Sequence, residues 1–218
     1  MAMRRPCVAL ALAILTRPAA SQTKAGLAIT PFVGLTVARA DLLLKPGQIA
    51  GRDQLKQSVY GVVGGSIAVG LSPRFELAVD VGSGSSGLRI TTLSSPSGTR
   101  ASVLTTSARL AFRIHEPTAP LSLTVHAGPA AIRRSFSDEV NQSDSPIHDR
   151  TSFGAVIGGA IRFRISSRVG LSIGVDDFIY NASFAVAASG PLPAGQSPEL
   201  TQNDIRLAIG IRWTLIGN

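Results

Sequence analysis

Apolar and polar side chains alternate with period two through most of this chain. The final stretch, "NDIRLAIGIRWTLIGN", shows the pattern clearly. Ile205, Leu207, Ile209, Ile211, Trp213 and Leu215 are large and apolar, and Arg206, Ala208, Gly210, Arg212 and Thr214 between them are small or polar. Period two places successive side chains on opposite faces of a β-strand. Eight segments carry it, near 27–37, 59–71, 75–81, 104–114, 121–127, 153–165, 169–179 and 205–215, and no segment has a clear helical period. Several match the ~9–11 residues that a tilted transmembrane strand needs.

The connections follow a rule. Those at 72–74, 115–120 and 166–168 are short, whereas those near 38–58, 82–103, 128–152 and 180–204 are long and rich in Gly, Ser, Pro, Asn and Asp. Hairpin loops usually have 2–5 residues, so the long links are unusual for a compact domain. In an antiparallel meander, strict alternation puts every short turn on one rim and every long loop on the other. An even strand count puts both termini at the short-turn rim.

Which face meets water decides between a soluble and a membrane barrel. The apolar faces are unbroken: Phe75, Leu77, Val79 and Val81, or Val169, Leu171, Ile173 and Val175, carry no charge. A charge at mid-depth in hydrocarbon costs ~2–4 kcal/mol, so such a face suits lipid. The aromatics Phe75, Phe112, Phe163 and Trp213 all fall beside short turns or the C-terminus, at the level of an interfacial girdle. The opposite faces mix tiny residues with isolated charges. Gly154, Gly158 and Ala160 precede Arg162 and Arg164, and Gly170, Ser172 and Gly174 precede Asp176. A narrow eight-stranded interior, which side chains must fill, needs that mixture. The parity assigns Glu76, Arg113, Arg162, Arg164 and Arg212 to a polar lumen layer near the short turns. It assigns Asp80, Arg109, Asp176 and Arg206 to a second layer, with His126 also pointing inward. The arginines outnumber the acids, so some reach water or backbone carbonyls. Pro31 interrupts the first strand, and a bulge or a lost ladder bond has to absorb its missing donor.

Composition adds a route of export. "MAMRRP" is a basic start, "CVALALAIL" a short apolar core and "TRPAASQ" a small-residue end, the layout of a secretory signal over 1–20. The mature barrel domain is then 21–218. Nine apolar residues are too few for a membrane helix, which needs ~20. Cys7 lies in the leader, so the mature chain has no thiol and no disulfide. Losing Arg4, Arg5 and Arg17 with the leader lowers the formal charge from +8 to +5. The remaining cations are dispersed singly, which argues against a nucleic-acid partner.

The leader, eight alternating strands, turn asymmetry and final strand together resemble the small eight-stranded outer-membrane β-barrels of Gram-negative bacteria, such as the transmembrane domain of outer-membrane protein A. The resemblance covers nearly the whole mature chain and is one of pattern. "GIRWTL" is similar to the family's C-terminal assembly signal, with Gly210, Trp213 and Leu215 at the matching positions. It departs in ending on Leu, with three residues following, and in having Ala208 where a polar residue is usual. The resemblance implies an all-β, up-and-down transmembrane barrel in the bacterial outer membrane, with short periplasmic turns and long extracellular loops. It implies contact with outer-membrane lipid and lipopolysaccharide and recognition by the barrel-assembly machinery.

Candidates for chemistry are sparse. His148, Asp149 and Ser152 lie close in sequence, but a nucleophilic site is a matter of geometry that spacing does not supply. The acidic stretch 137–144 lacks the spacing of a calcium loop. No catalytic residue, metal site or cofactor is expected. The reading is a non-enzymatic barrel with a filled polar lumen, acting in envelope structure or through its outer loops. Two alternatives stay open: a narrow passage for small or amphipathic solutes, and a secreted, lipocalin-like barrel with an apolar ligand cavity.

Overall fold

A computed structural model describes residues 26–39, 55–90, 100–114, 119–136, 150–182 and 200–216. The strands are β1 (Leu27–Ala38), β2 (Leu55–Gln57), β3 (Tyr60–Gly70), β4 (Phe75–Ile90), β5 (Arg100–Arg113), β6 (Leu121–Phe136), β7 (Arg150–Arg164), β8 (Val169–Ala182) and β9 (Leu200–Ile216). Short β2 continues the line of β3 along β4, and the two make one barrel strand with a slip at Ser58 and Val59. Each barrel strand pairs antiparallel with its sequence neighbours, and β1 with β9 closes the ring. The result is an eight-stranded, up-and-down transmembrane β-barrel with no free edge.

The faces are arranged for lipid. Val33, Ile67, Val79, Leu110, Val125, Ile161, Val175 and Ile209, one from each barrel strand, point outward around the whole circumference. Ile67 is 58% exposed, whereas Arg206 is 1% exposed. A continuous apolar belt of this kind far exceeds what a soluble monomer leaves in water. The lipocalin-like alternative needed the opposite assignment, an apolar cavity and a polar exterior. It is overturned by the charged side chains inside and the aliphatic ones outside.

The strands run further than the sequence pattern implied. β4 extends to Ile90 through "GSGSSG", β6 to Phe136, and β9 begins at Leu200. These strands therefore take in parts of the links read from sequence as 82–103, 128–152 and 180–204. Turn-forming composition reads as loop, but here ladder pairing with neighbours overrides it. Gly84 illustrates the reason. A Cβ there would lie 2.5 Å from the Gly61 carbonyl oxygen and 2.7 Å from the Tyr60 ring. Only glycine lets the backbones and the inward Tyr60 ring close at that level.

Prolines are absorbed by lost ladder pairs. Across β1 and β9 the register is the same at Ile29↔Trp213 and Phe32↔Gly210, and pairing lapses at Thr30 and Pro31 between them. Pro31 still pairs with Gly65 on its other side. Pro129, inside β6 and beyond the strand end read from sequence, does the same between Ser107↔Ala130 and Leu110↔Ala127. Neither site carries a bulge; the one register shift of the β1–β9 ladder is at Leu27 and Ala28.

Candidate functional site

Among the described residues, inward side chains form three polar layers along the lumen. The layer nearest the short turns centres on Glu76 at the start of β4. Arg162 from β7 donates to it through Nη2 at 2.9 Å and Nη1 at 3.3 Å. Arg212 from β9 donates through Nη2 at 2.6 Å and Nη1 at 3.1 Å. Each carboxylate oxygen therefore accepts one bond from each arginine. Arg113 from β5 stands 3.6 Å away and donates instead to the Pro73 carbonyl at 3.2 Å. Arg164, assigned to this layer by parity, is exposed at its edge.

The middle layer joins opposite walls. Arg206 on β9 donates to Asp176 on β8 at 2.7 and 3.0 Å and to Asp80 on β4 at 2.9 Å. Arg109 on β5 reaches Asp176 at 3.1 Å and Asp80 at 2.9 Å. His126 on β6 lies 2.6 Å from Asp176, completing a ring of five residues. The Arg206 guanidinium also stacks between rings, 4.7 Å from the Phe32 centroid and 5.0 Å from that of Phe178. Two arginines face two aspartates, so the formal charge balances before His126 is counted.

A third layer lies beyond the strand ends expected from sequence. Arg134 on β6 donates to Asp204 on β9 and to the Tyr180 hydroxyl on β8, both at 2.5 Å, and to Gln57 at 3.2 Å. Tyr180 passes the chain on to Gln202 at 3.3 Å. Arg134 and Asp204 are each 1% exposed. The parity that placed His126 inward continues through Ala130 and Ile132 to Arg134. Stopping the strand near Pro129 hid the layer.

The remaining assigned residues fall at the short-turn end. Phe75 and Phe112 pair across β4 and β5 with ring centroids 5.3 Å apart. Phe163 and Trp213 project outward at the ends of β7 and β9. In β9, Gly210 faces the lumen, and Trp213 and Leu215 face outward. Of the Ser–His–Asp candidates, Ser152 is buried on the lumen side of β7, and His148 and Asp149 lie outside the described residues, as do the acidic stretch 137–144 and the leader 1–20. Among the described residues no group of three or more His, Cys, Asp or Glu is placed to hold a metal.

Among the described residues, two spaces below the middle layer interrupt the packing. A cavity of about 430 Å³ opens at the short-turn rim below Glu76. A smaller one of about 90 Å³ separates the Glu76 layer from the middle layer. Beyond it, the side chains of Asp80, Asp176 and Arg206 are at most 5% exposed and bonded across the barrel.

No protein-family model and no curated protein matches the sequence. Solved structures do match in fold. The chain is similar to the outer-membrane protein OprG from Pseudomonas aeruginosa, with a TM-score of 0.62 at 12% identity over 89% of this chain and 97% of that one. Neisserial surface protein A gives 0.56 at 12% identity, over 87% and 97%. The outer-membrane protein AlkL, solved in lipid bilayers, gives 0.56 at 14% identity, over 99% and 97%. In fold, this chain belongs with the small eight-stranded outer-membrane β-barrels.

Proposed function

We propose that this chain is a non-conducting, non-enzymatic barrel of the bacterial outer membrane, serving envelope structure or surface contacts through its long-loop end. The observation that carries this reading is the middle layer. Arg109 and Arg206 tie β4, β5, β8 and β9 together through Asp80 and Asp176, with His126 adding β6. A solute moving along the axis has to break several charge-assisted bonds in a low-dielectric setting, where each is strong. The narrow-passage alternative requires this layer to part.

Its partners on this reading are outer-membrane lipid and lipopolysaccharide at the apolar belt, and the barrel-assembly machinery at the Gly210, Trp213 and Leu215 strand. Conductance tests the core of the proposal. The refolded chain in a planar lipid bilayer is expected to give no steady current in simple salt. A persistent, size-selective current would overturn the closed-lumen reading and favour passage of small solutes.

A further inference from the structure

The rim cavity has a charge imbalance that the other layers lack. Six guanidiniums line it, those of Arg74, Arg113, Arg162, Arg164, Arg168 and Arg212, and Glu76 is the one acid lining it among the described residues. That carboxylate is saturated. Its two oxygens offer about four lone-pair sites, and Arg162 and Arg212 already occupy them with four bonds. Arg113 is consequently left at 3.6 Å from Glu76 and leans on a backbone carbonyl. A guanidinium carries five N–H donors, so Arg74, Arg113 and Arg168 bring more donors to the cavity than the acceptors among the described residues take up.

The rim is also built to present its arginines. Turns 72–74 and 166–168 are the same device used twice. Ser72 Oγ accepts from the backbone N–H groups of Arg74 at 3.3 Å and Phe75 at 3.0 Å. Ser166 Oγ accepts from those of Arg168 at 3.3 Å and Val169 at 3.1 Å. Each turn thus fixes an arginine backbone at the cavity mouth. The cavity, at about 430 Å³, falls within the ~300–1,000 Å³ of ordinary small-molecule sites. Phe75, Phe163 and Val169 on its edge adjoin the lipid belt.

We infer that the short-turn mouth of the barrel binds a phosphoryl group. A phosphoryl group brings one negative charge as a diester and about two as a monoester, on tetrahedrally disposed oxygens that several guanidinium forks engage at once. A single carboxylate offers only coplanar acceptor sites, which fewer guanidinium forks can engage together. The same chemistry is offered by a phospholipid headgroup from the adjoining leaflet and by a soluble organic phosphate. The inference does not depend on whether the lumen conducts.

The test uses the mature chain refolded in phosphate-free sulfobetaine micelles, with pyrophosphate titrated against chloride at equal ionic strength. Arginine Nε–Hε resonances are followed by NMR. Saturable shifts are expected, weakened roughly tenfold or more in the Arg74→Gln/Arg168→Gln double variant, which loses charge-assisted hydrogen bonds worth at least that factor. The charge-matched Arg100→Gln/Arg133→Gln control, changed toward the far rim, is expected to bind like the parent. A second arm titrates phosphatidylglycerol into the same phosphate-free micelles. Shifts caused by phosphatidylglycerol but not by pyrophosphate assign the site to a lipid headgroup, and the reverse assigns it to a soluble phosphate. Absence of saturable shifts in both arms, or equal weakening by the two double variants, overturns the inference.

Discussion

The middle and lower thirds of the lumen use the same residue types to opposite ends. In the middle, Asp80 and Asp176 face Arg109 and Arg206, each acid touches both arginines, and nothing in the ring is more than marginally exposed. In the lower third one acid serves three arginines whose side chains keep 17–20% of their surface. A balanced, dry ring acts as a cross-brace. An unbalanced, wet one retains attraction for something outside the protein. Stoichiometry and hydration, not residue type, separate structural charge from charge available for binding. Burial without a partner is strongly unfavourable, so excess arginine is tolerable only where water or a ligand reaches it.

Removing a middle-layer charge should therefore have the largest effect. Arg206→Met leaves Asp80 and Asp176 sharing Arg109 and His126 in a sealed space. Breaking a buried pair in this way costs about 3–5 kcal/mol. The check is reversible urea unfolding in lipid, followed by intrinsic Trp213 fluorescence. A loss below about 1 kcal/mol, the range of exposed pairs, would mean that water enters the middle ring. The contrast between the two thirds would then collapse.

Packing offers a charge-neutral version of the same comparison. A Cβ at Gly158 would lie 2.7 Å from His126 Nε2, 2.8 Å from Asp176 Oδ1 and 2.4 Å from the Val175 carbonyl oxygen. A Cβ at Gly70, which lines the rim cavity, would have its nearest neighbour at 3.4 Å, an ordinary contact. Gly158→Ala is expected to destabilise by about 1–3 kcal/mol, the usual range for overpacking. Gly70→Ala should change stability by no more than about 0.5 kcal/mol. Similar losses at both sites would show that the lower third is as tightly packed as the middle.

These differences were only partly legible in the sequence. Period two revealed which side chains point inward, and residue position relative to the short turns revealed their approximate height. That is why Glu76, Arg162 and Arg212 could be assigned to one level and Asp80, Arg109, Asp176 and Arg206 to another. The upper layer was not legible, because Pro129 and the glycines of "GSGSSG" carry turn chemistry that neighbouring strands override. Pairing was not legible either. Which arginine meets which acid across a barrel depends on the stagger between strands, and a one-strand pattern contains no information on stagger. Arg164 shows the limit. It has the inward parity of Arg162, yet two residues further along β7 it sits exposed at the mouth.

The finest discrimination comes from Arg113. It stands 3.6 Å from Glu76 with its side chain 20% exposed, while Arg162 and Arg212 fill the carboxylate. If the lower third is overcharged, Arg113→Gln removes repulsion from its neighbours as well as a weak attraction to Glu76. The two effects oppose each other, and unfolding stability should move by less than about 1 kcal/mol, as for exposed pairs. Raising salt should narrow even that difference, because screening reaches partly hydrated charges. The same urea series, run at low and high salt beside Arg206→Met, checks this. A loss at Arg113→Gln as large as at Arg206→Met, and insensitive to salt, would mean that Glu76 needs all three arginines. The mouth would then be a third brace and would have no donors left over for a ligand.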